Sequence, residues 1–151
     1  MPRYHWRRCH GAPGLPALIA AAIEADGDAD GALLEAARRA GEVVWERGVI
    51  LKGNGLCHGV AGNGYAFLSL HRLTGEPEQL ERARAFAALL EEPALQEAIS
   101  RQPDPQRRVR GKPDSPLSLM EGAAGVLCYL LDVHRAAQGA SDAEGFPGWE
   151  I

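Results

Sequence analysis

Apolar residues recur at helical spacing along much of the chain. Over Gly31–Arg47, Leu33, Leu34, Ala37, Ala40 and Val44 fall on one face, and Glu35, Arg38, Arg39 and Glu42 on the other. A period near 3.6 with two opposed faces predicts a half-buried amphipathic helix. Pro77–Leu90 repeats the pattern, with Leu80, Ala83, Phe86, Ala87 and Leu90 inward. Thr74-Gly75-Glu76-Pro77 reads as the turn before it, because proline suits the first helical position. Other runs are apolar on all sides, notably Leu15–Ile23, the stretch after Gly62, and Val126–Val133. Helices apolar all round belong inside, and amphipathic ones at the boundary. The alternation predicts an inner row of buried helices and an outer row half exposed.

Each apolar run follows the same kind of turn. Cys9-His10-Gly11-Ala12-Pro13-Gly14, Cys57-His58-Gly59-Val60-Ala61-Gly62 and Met120-Glu121-Gly122-Ala123-Ala124-Gly125 share one order. It is a polar residue, glycine, two small residues, glycine, then the helix. His10 and His58 are 48 residues apart, and His58 and Glu121 are 63 apart. Recurrence at this scale points to an array of supersecondary units. Glu91–Pro116 breaks the pattern with prolines and the basic cluster Arg107-Arg108-Val109-Arg110-Gly111-Lys112, and its later half is expected to be a loop. Residues 139–151 are expected to form a tail beyond a barrel portion spanning 1–138, with Phe146 and Trp149 placed to pin it.

Composition narrows the fold and the partners. A single threonine, Thr74, among 151 residues argues against an all-β fold, since strands favour β-branched residues. A net charge of −4 gives no support to a nucleic-acid role, which needs a basic face. No apolar stretch approaches 18 residues, so no transmembrane helix is expected. The polar N-terminus does not read as a signal peptide. Three cysteines are too few for a disulfide scaffold and fit reduced thiols in the cytoplasm.

Two of the three turns carry Cys-His at the same place. In a ring of repeats, equivalent positions converge on one rim. Cys9, Cys57 and His58 can then meet, and two thiolates with one imidazole suit Zn²⁺ with a fourth position open. The competing reading makes Cys9 and Cys57 small buried residues and the histidines helix caps. Cys128, inside the third apolar run, is expected to be a core residue. Glu121 holds the third turn's counterpart of His58. It either faces the site or is a carboxylate favoured by the helix dipole.

Longer patterns carry a resemblance. They are Gly53-x-Gly-x-Cys57-His58-Gly59-x-Ala-Gly-Asn63-Gly64-Tyr65-x-Phe67-Leu68, Pro113-Asp114-x-Pro116-x-Ser118-Leu119-x-Glu121-Gly122-x-Ala124-Gly125, and the closing Phe146-Pro147-Gly148-Trp149-Glu150. Together with the first turn they resemble the C-terminal part of eukaryotic LanC-like proteins, relatives of the bacterial lanthionine synthetase cyclases. The look is most like the LanC-like protein 3 branch. The resemblance implies a double-layered α/α toroid, with about three of seven repeats in this chain. It implies zinc on Cys9, Cys57 and His58. It also implies addition of the glutathione thiol to dehydroalanine or dehydrobutyrine residues in proteins. Lys52 matches a lysine that contacts glutathione in such relatives. A second cation is expected from Arg110 or Lys112, because Gly111 takes the place of the family's arginine. His10, beside a ligand, is a candidate for proton transfer.

This sequence departs from the family pattern in inserting Arg7-Arg8 between His5-Trp6 and Cys9. An array of about three repeats leaves inner helices uncovered at both ends, so the chain alone is expected to be marginal and to be a fragment of a larger barrel. Two rival readings stay open. One is a non-catalytic zinc- and glutathione-binding scaffold. The other is a glycan-processing α/α barrel, which would need a second acid paired with Glu121.

Overall fold

The apolar stretch after Gly62 forms the central helix. A computed structural model describes residues 11–101, 115–140 and 146–147. Within them a 3-10 turn, Ala12–Gly14, leads into α1 (Leu15–Asp26), followed by α2 (Ala32–Arg47), α3 (Val60–Thr74), α4 (Pro77–Leu89), α5 (Pro93–Arg101) and α6 (Ala123–Ala137). The described residues contain no strand, so the fold is all-α, in keeping with part of an α/α toroid.

Local chemistry sets the boundaries. Gly27 ends α1 with φ 78. Asp28 then accepts the Leu34 N–H at 2.8 Å and the Leu33 N–H at 3.1 Å, satisfying donors at the start of α2 that have no helical partner. Gly75 ends α3 with φ 69, and its N–H donates to the His71 carbonyl at 2.7 Å. Pro77 opens α4 as the sequence predicts.

The two layers follow the hydrophobic pattern. α3 packs against α1 and α6, which form the inner row with it. α2 lies against α1 and α3, and α4 against α3 and α6. Ten of the fifteen residues of α3 are buried, as an inner helix requires. α2 presents Ala37, Ala40, Gly41 and Val44 inward. Its small residues permit close approach, since a Cβ on Gly41 would stand 2.5 Å from the Leu70 side chain. Leu33, expected inward, remains 37% exposed in the first turn of α2, and the half-buried Leu34 takes the inward place.

Aromatic and polar contacts lock the layers together. Phe67 and Phe86 meet at 5.3 Å between ring centres, with Trp45 edge-on to Phe67 at 6.0 Å. Arg82 lies over Trp45 at 5.2 Å and pairs with Glu42 and Glu78. Tyr65 on α3 donates to Asp132 on α6 at 2.6 Å. Tyr129 on α6 donates to the Ala83 carbonyl of α4, also at 2.6 Å. Asn63 donates to the Gly48 carbonyl at 2.6 Å, fixing the end of α2. Phe146 is buried, with its ring 5.1 Å from that of Tyr65.

α5 lies in the proline-broken stretch. Pro93 stands at its first position, where a missing N–H costs nothing. Glu92 accepts the Ala94 N–H at 3.3 Å. The expected loop after it, with Arg110 and Lys112, lies outside the described residues. Among the described residues no helix is long and apolar enough to cross a membrane.

Candidate functional site

The second and third glycine turns are geometric copies. Gly59 and Gly122 both cap their helices in extended conformation, at φ −135 and φ −105. The Val60 N–H donates to the Gly53 carbonyl at 3.2 Å, and the Ala123 N–H to the Pro116 carbonyl at 2.8 Å. Both bonds close the same loop, 63 residues apart in the chain. The glycines are required by crowding rather than by dihedral angle. A Cβ on Gly59 or on Gly122 would come within 2.5 Å of the carbonyl oxygen of Gly53 or of Pro116.

The two turns also touch each other. The Cys57 N–H donates to the Met120 carbonyl at 2.8 Å. A Cβ on Gly55 would stand 2.7 Å from the Cα and carbonyl oxygen of Glu121. This backbone contact brings Cys57, His58 and Glu121 to one place at the helix starts. Cys57 Sγ lies 3.5 Å from His58 Nε2, and His58 Nδ1 lies 3.9 Å from Glu121 Oε1. The His58 and Glu121 side chains are 30% and 27% exposed, so the group is reachable from solvent. From the other side Asn54 donates to Gln96 of α5 at 2.7 Å, and Gln96 donates back at 3.3 Å. That reciprocal amide pair ties the loop before Cys57 to α5.

The donor spacing fits a metal. A tetrahedral ion with about 2.3 Å to sulfur and about 2.1 Å to nitrogen separates those two ligands by about 3.6 Å. The same spacing also serves a direct thiol–imidazole hydrogen bond, so the pair is competent for either. Among the described residues no three His, Cys, Asp or Glu side chains form a metal-binding group. The third sequence candidate, Cys9, lies outside those residues, as do His10, Arg110 and Lys112. Lys52 is exposed on the turn directly before Gly53. Cys128 is a half-buried thiol on α6.

Three participants are absent from the sequence expectations: the Met120 carbonyl, Gly55 and Gln96. Only Gly55 leaves a trace, as the second glycine of Gly53-x-Gly-x-Cys57.

Comparison with known proteins places these turns in context. The family model described as "Lanthionine synthetase C-like protein" matches residues 2–143. The chain is 37% identical over 147 residues to a protein of Danio rerio named "Glutathione S-transferase LANCL1", covering 97% of this chain and 31% of the relative. It is 39% identical over 142 residues to "LanC-like protein GCL1" of Arabidopsis thaliana, covering 94% of this chain and 29% of that protein. The chain therefore spans about a third of the length of these relatives.

Proposed function

The chain belongs to the lanthionine synthetase C-like family, and on that premise we propose that its rim holds zinc and that the parent activity of the full barrel is thiol addition to dehydroamino acids. The observation that carries this is the 3.5 Å separation of Cys57 Sγ and His58 Nε2, at the start of a helix and open to solvent. Cys57 and His58 are two protein ligands, and Cys9, at the equivalent place 48 residues earlier, is the third. Three protein ligands leave a position for an exogenous thiol. A zinc ion bound there would supply the Lewis acidity that favours a thiolate near neutral pH.

The thiol is that of glutathione, in line with the name of the Danio rerio relative. Its sulfur bonds to the β-carbon of dehydroalanine or dehydrobutyrine, and a proton is added at the α-carbon. No side chain of this chain is the nucleophile. Lys52, and Arg110 or Lys112, supply cations for the glutathione carboxylates. Glu121 stands at the mouth of the site, beside His58. His10 is the candidate proton donor. Reduced thiols suit a cytoplasmic setting.

The test incubates the chain with glutathione and a dehydroalanine peptide, with and without zinc, and reads the peptide mass. A glutathione adduct is expected that needs zinc and disappears in Cys57→Ala. Peptide left unmodified under all conditions, with zinc and glutathione still bound, would favour a binding scaffold instead.

A further inference from the structure

Glu121 sits on a rigid mount. Its N–H donates to Ser118 Oγ at 3.3 Å, and the next N–H, of Gly122, donates to the Ser118 carbonyl at 3.0 Å. Its Cα and carbonyl oxygen abut Gly55 of the second turn so closely that no side chain fits between. From this mount Glu121 Oε1 reaches to 3.9 Å from His58 Nδ1. The opposite ring nitrogen, Nε2, faces Cys57 Sγ at 3.5 Å. The imidazole is thus flanked by a thiol at one nitrogen and a carboxylate at the other.

A neutral imidazole carries one N–H and one lone pair. A carboxylate beside Nδ1 selects the tautomer with the proton there, which leaves the lone pair on Nε2. We propose that Glu121 is a positioning residue for His58, holding its Nδ1–H so that Nε2 presents its lone pair on the Cys57 side. This deepens, and rests on, the reading of Cys57 and His58 as zinc ligands. Closing 3.9 Å to a hydrogen bond takes about 1 Å of side-chain movement, which the partial exposure of both groups allows. A carboxylate placed only for the helix dipole would have no reason to face the histidine.

The test labels histidine with ¹⁵N in the full chain and reads the His58 tautomer from long-range ¹H–¹⁵N correlations, assigned by their loss in His58→Gln. Zinc affinity is measured alongside by chelator competition, in the wild type, Glu121→Gln, Glu121→Ala and Cys57→Ala. The wild type is expected to show the Nδ1–H tautomer, with or without added zinc. Glu121→Ala should lose that preference and weaken zinc about 10- to 100-fold. Glu121→Gln, whose amide oxygen still accepts from Nδ1–H, should keep the tautomer and most of the affinity. An Nε2–H tautomer in the wild type overturns the proposal, and it does so even if Glu121→Ala fails to fold. So does a Glu121→Ala protein with unchanged tautomer and zinc affinity. Failure of the zinc reading looks different, as equal zinc uptake by wild type and Cys57→Ala. The tautomers read without added zinc then still decide the role of Glu121.

Discussion

The Cys57 amide donates a 2.8 Å hydrogen bond to the Met120 carbonyl, joining equivalent positions of two successive repeats. Each of these residues immediately precedes a side chain of the site, His58 and Glu121. One backbone bond therefore sets the register between the thiol–imidazole pair and the carboxylate. The glycines around it let the two turns approach this closely. The repeat is in that sense a device for building one site from chain segments 63 residues apart.

Gly55→Ala should separate the two turns. Its Cβ would stand 2.7 Å from backbone atoms of Glu121, which cannot rotate away as a flexible side chain would. A loss of about 1–3 kcal/mol in urea unfolding is expected, as for other overpacked positions. Zinc affinity should fall with it, because Cys57 and His58 ride on the displaced turn. Unchanged stability and affinity would mean that the turns are not in backbone contact.

Alkaline unfolding should report the two buried tyrosines. Burial, and for Tyr65 the hydrogen bond to Asp132 as well, raises both hydroxyls well above their ordinary value of 10.0. The neutral form is favoured in the fold, so this stability is complete below pH 10.0 and is lost above it, where only the unfolded chain ionises. Each tyrosine should steepen the fall by about 1.4 kcal/mol per pH unit. Tyr129→Phe should remove one share of that slope. It should also cost about 1 kcal/mol at neutral pH through the lost bond to the Ala83 carbonyl.

Acid should act at a different contact. The hydrogen bond from Arg38 holds Glu76 below its ordinary value of 4.5. Its contribution is present above that value and fades as pH falls through the lower folded value. The stability of Glu76→Gln should therefore fall less steeply than that of the wild type as pH drops below 4.5. The effect should be small, since Arg38 and Glu76 are 41% and 37% exposed.

The edges of the inner row should make the chain self-associate. α6 exposes Leu127, Leu130 and Leu131 at 64%, 36% and 55%, and α1 exposes Leu15 and Leu18 at 43% and 66%. Apolar faces of this kind seek a neighbour in stacked-repeat architectures. Sedimentation should show concentration-dependent association, reduced by Leu127→Gln with Leu131→Gln. A monomer at every concentration would show that these faces are tolerated in water.

Much of this was legible in the sequence because repeats impose local patterns. The 3.6-residue period marks α2 and α4, and the glycine turns mark the starts of α1, α3 and α6. α5 was not legible, because the prolines around it resemble a loop until Pro93 is seen at a helix start. Cys57 and His58 were found by adjacency, and Glu121 by its equivalent place in the third turn. Their convergence on one rim followed from that equivalence, but the contacts that produce it, the Met120 carbonyl and the bare backbone of Gly55, were not legible. A carbonyl acceptor carries no side-chain signature. Gln96 escaped for a related reason, as its partner Asn54 lies 42 residues away and nothing in either residue announces the other.

Cobalt titration of the chain tests the zinc site most directly. Cobalt occupies zinc sites of this donor type, and a bound thiolate gives a charge-transfer band. The wild type should bind one equivalent with that band present. Cys57→Ala should weaken the band together with the affinity, and His58→Ala should reduce affinity while keeping thiolate absorption. Equal cobalt uptake with the same spectrum in all three proteins would contradict a metal site built on Cys57 and His58.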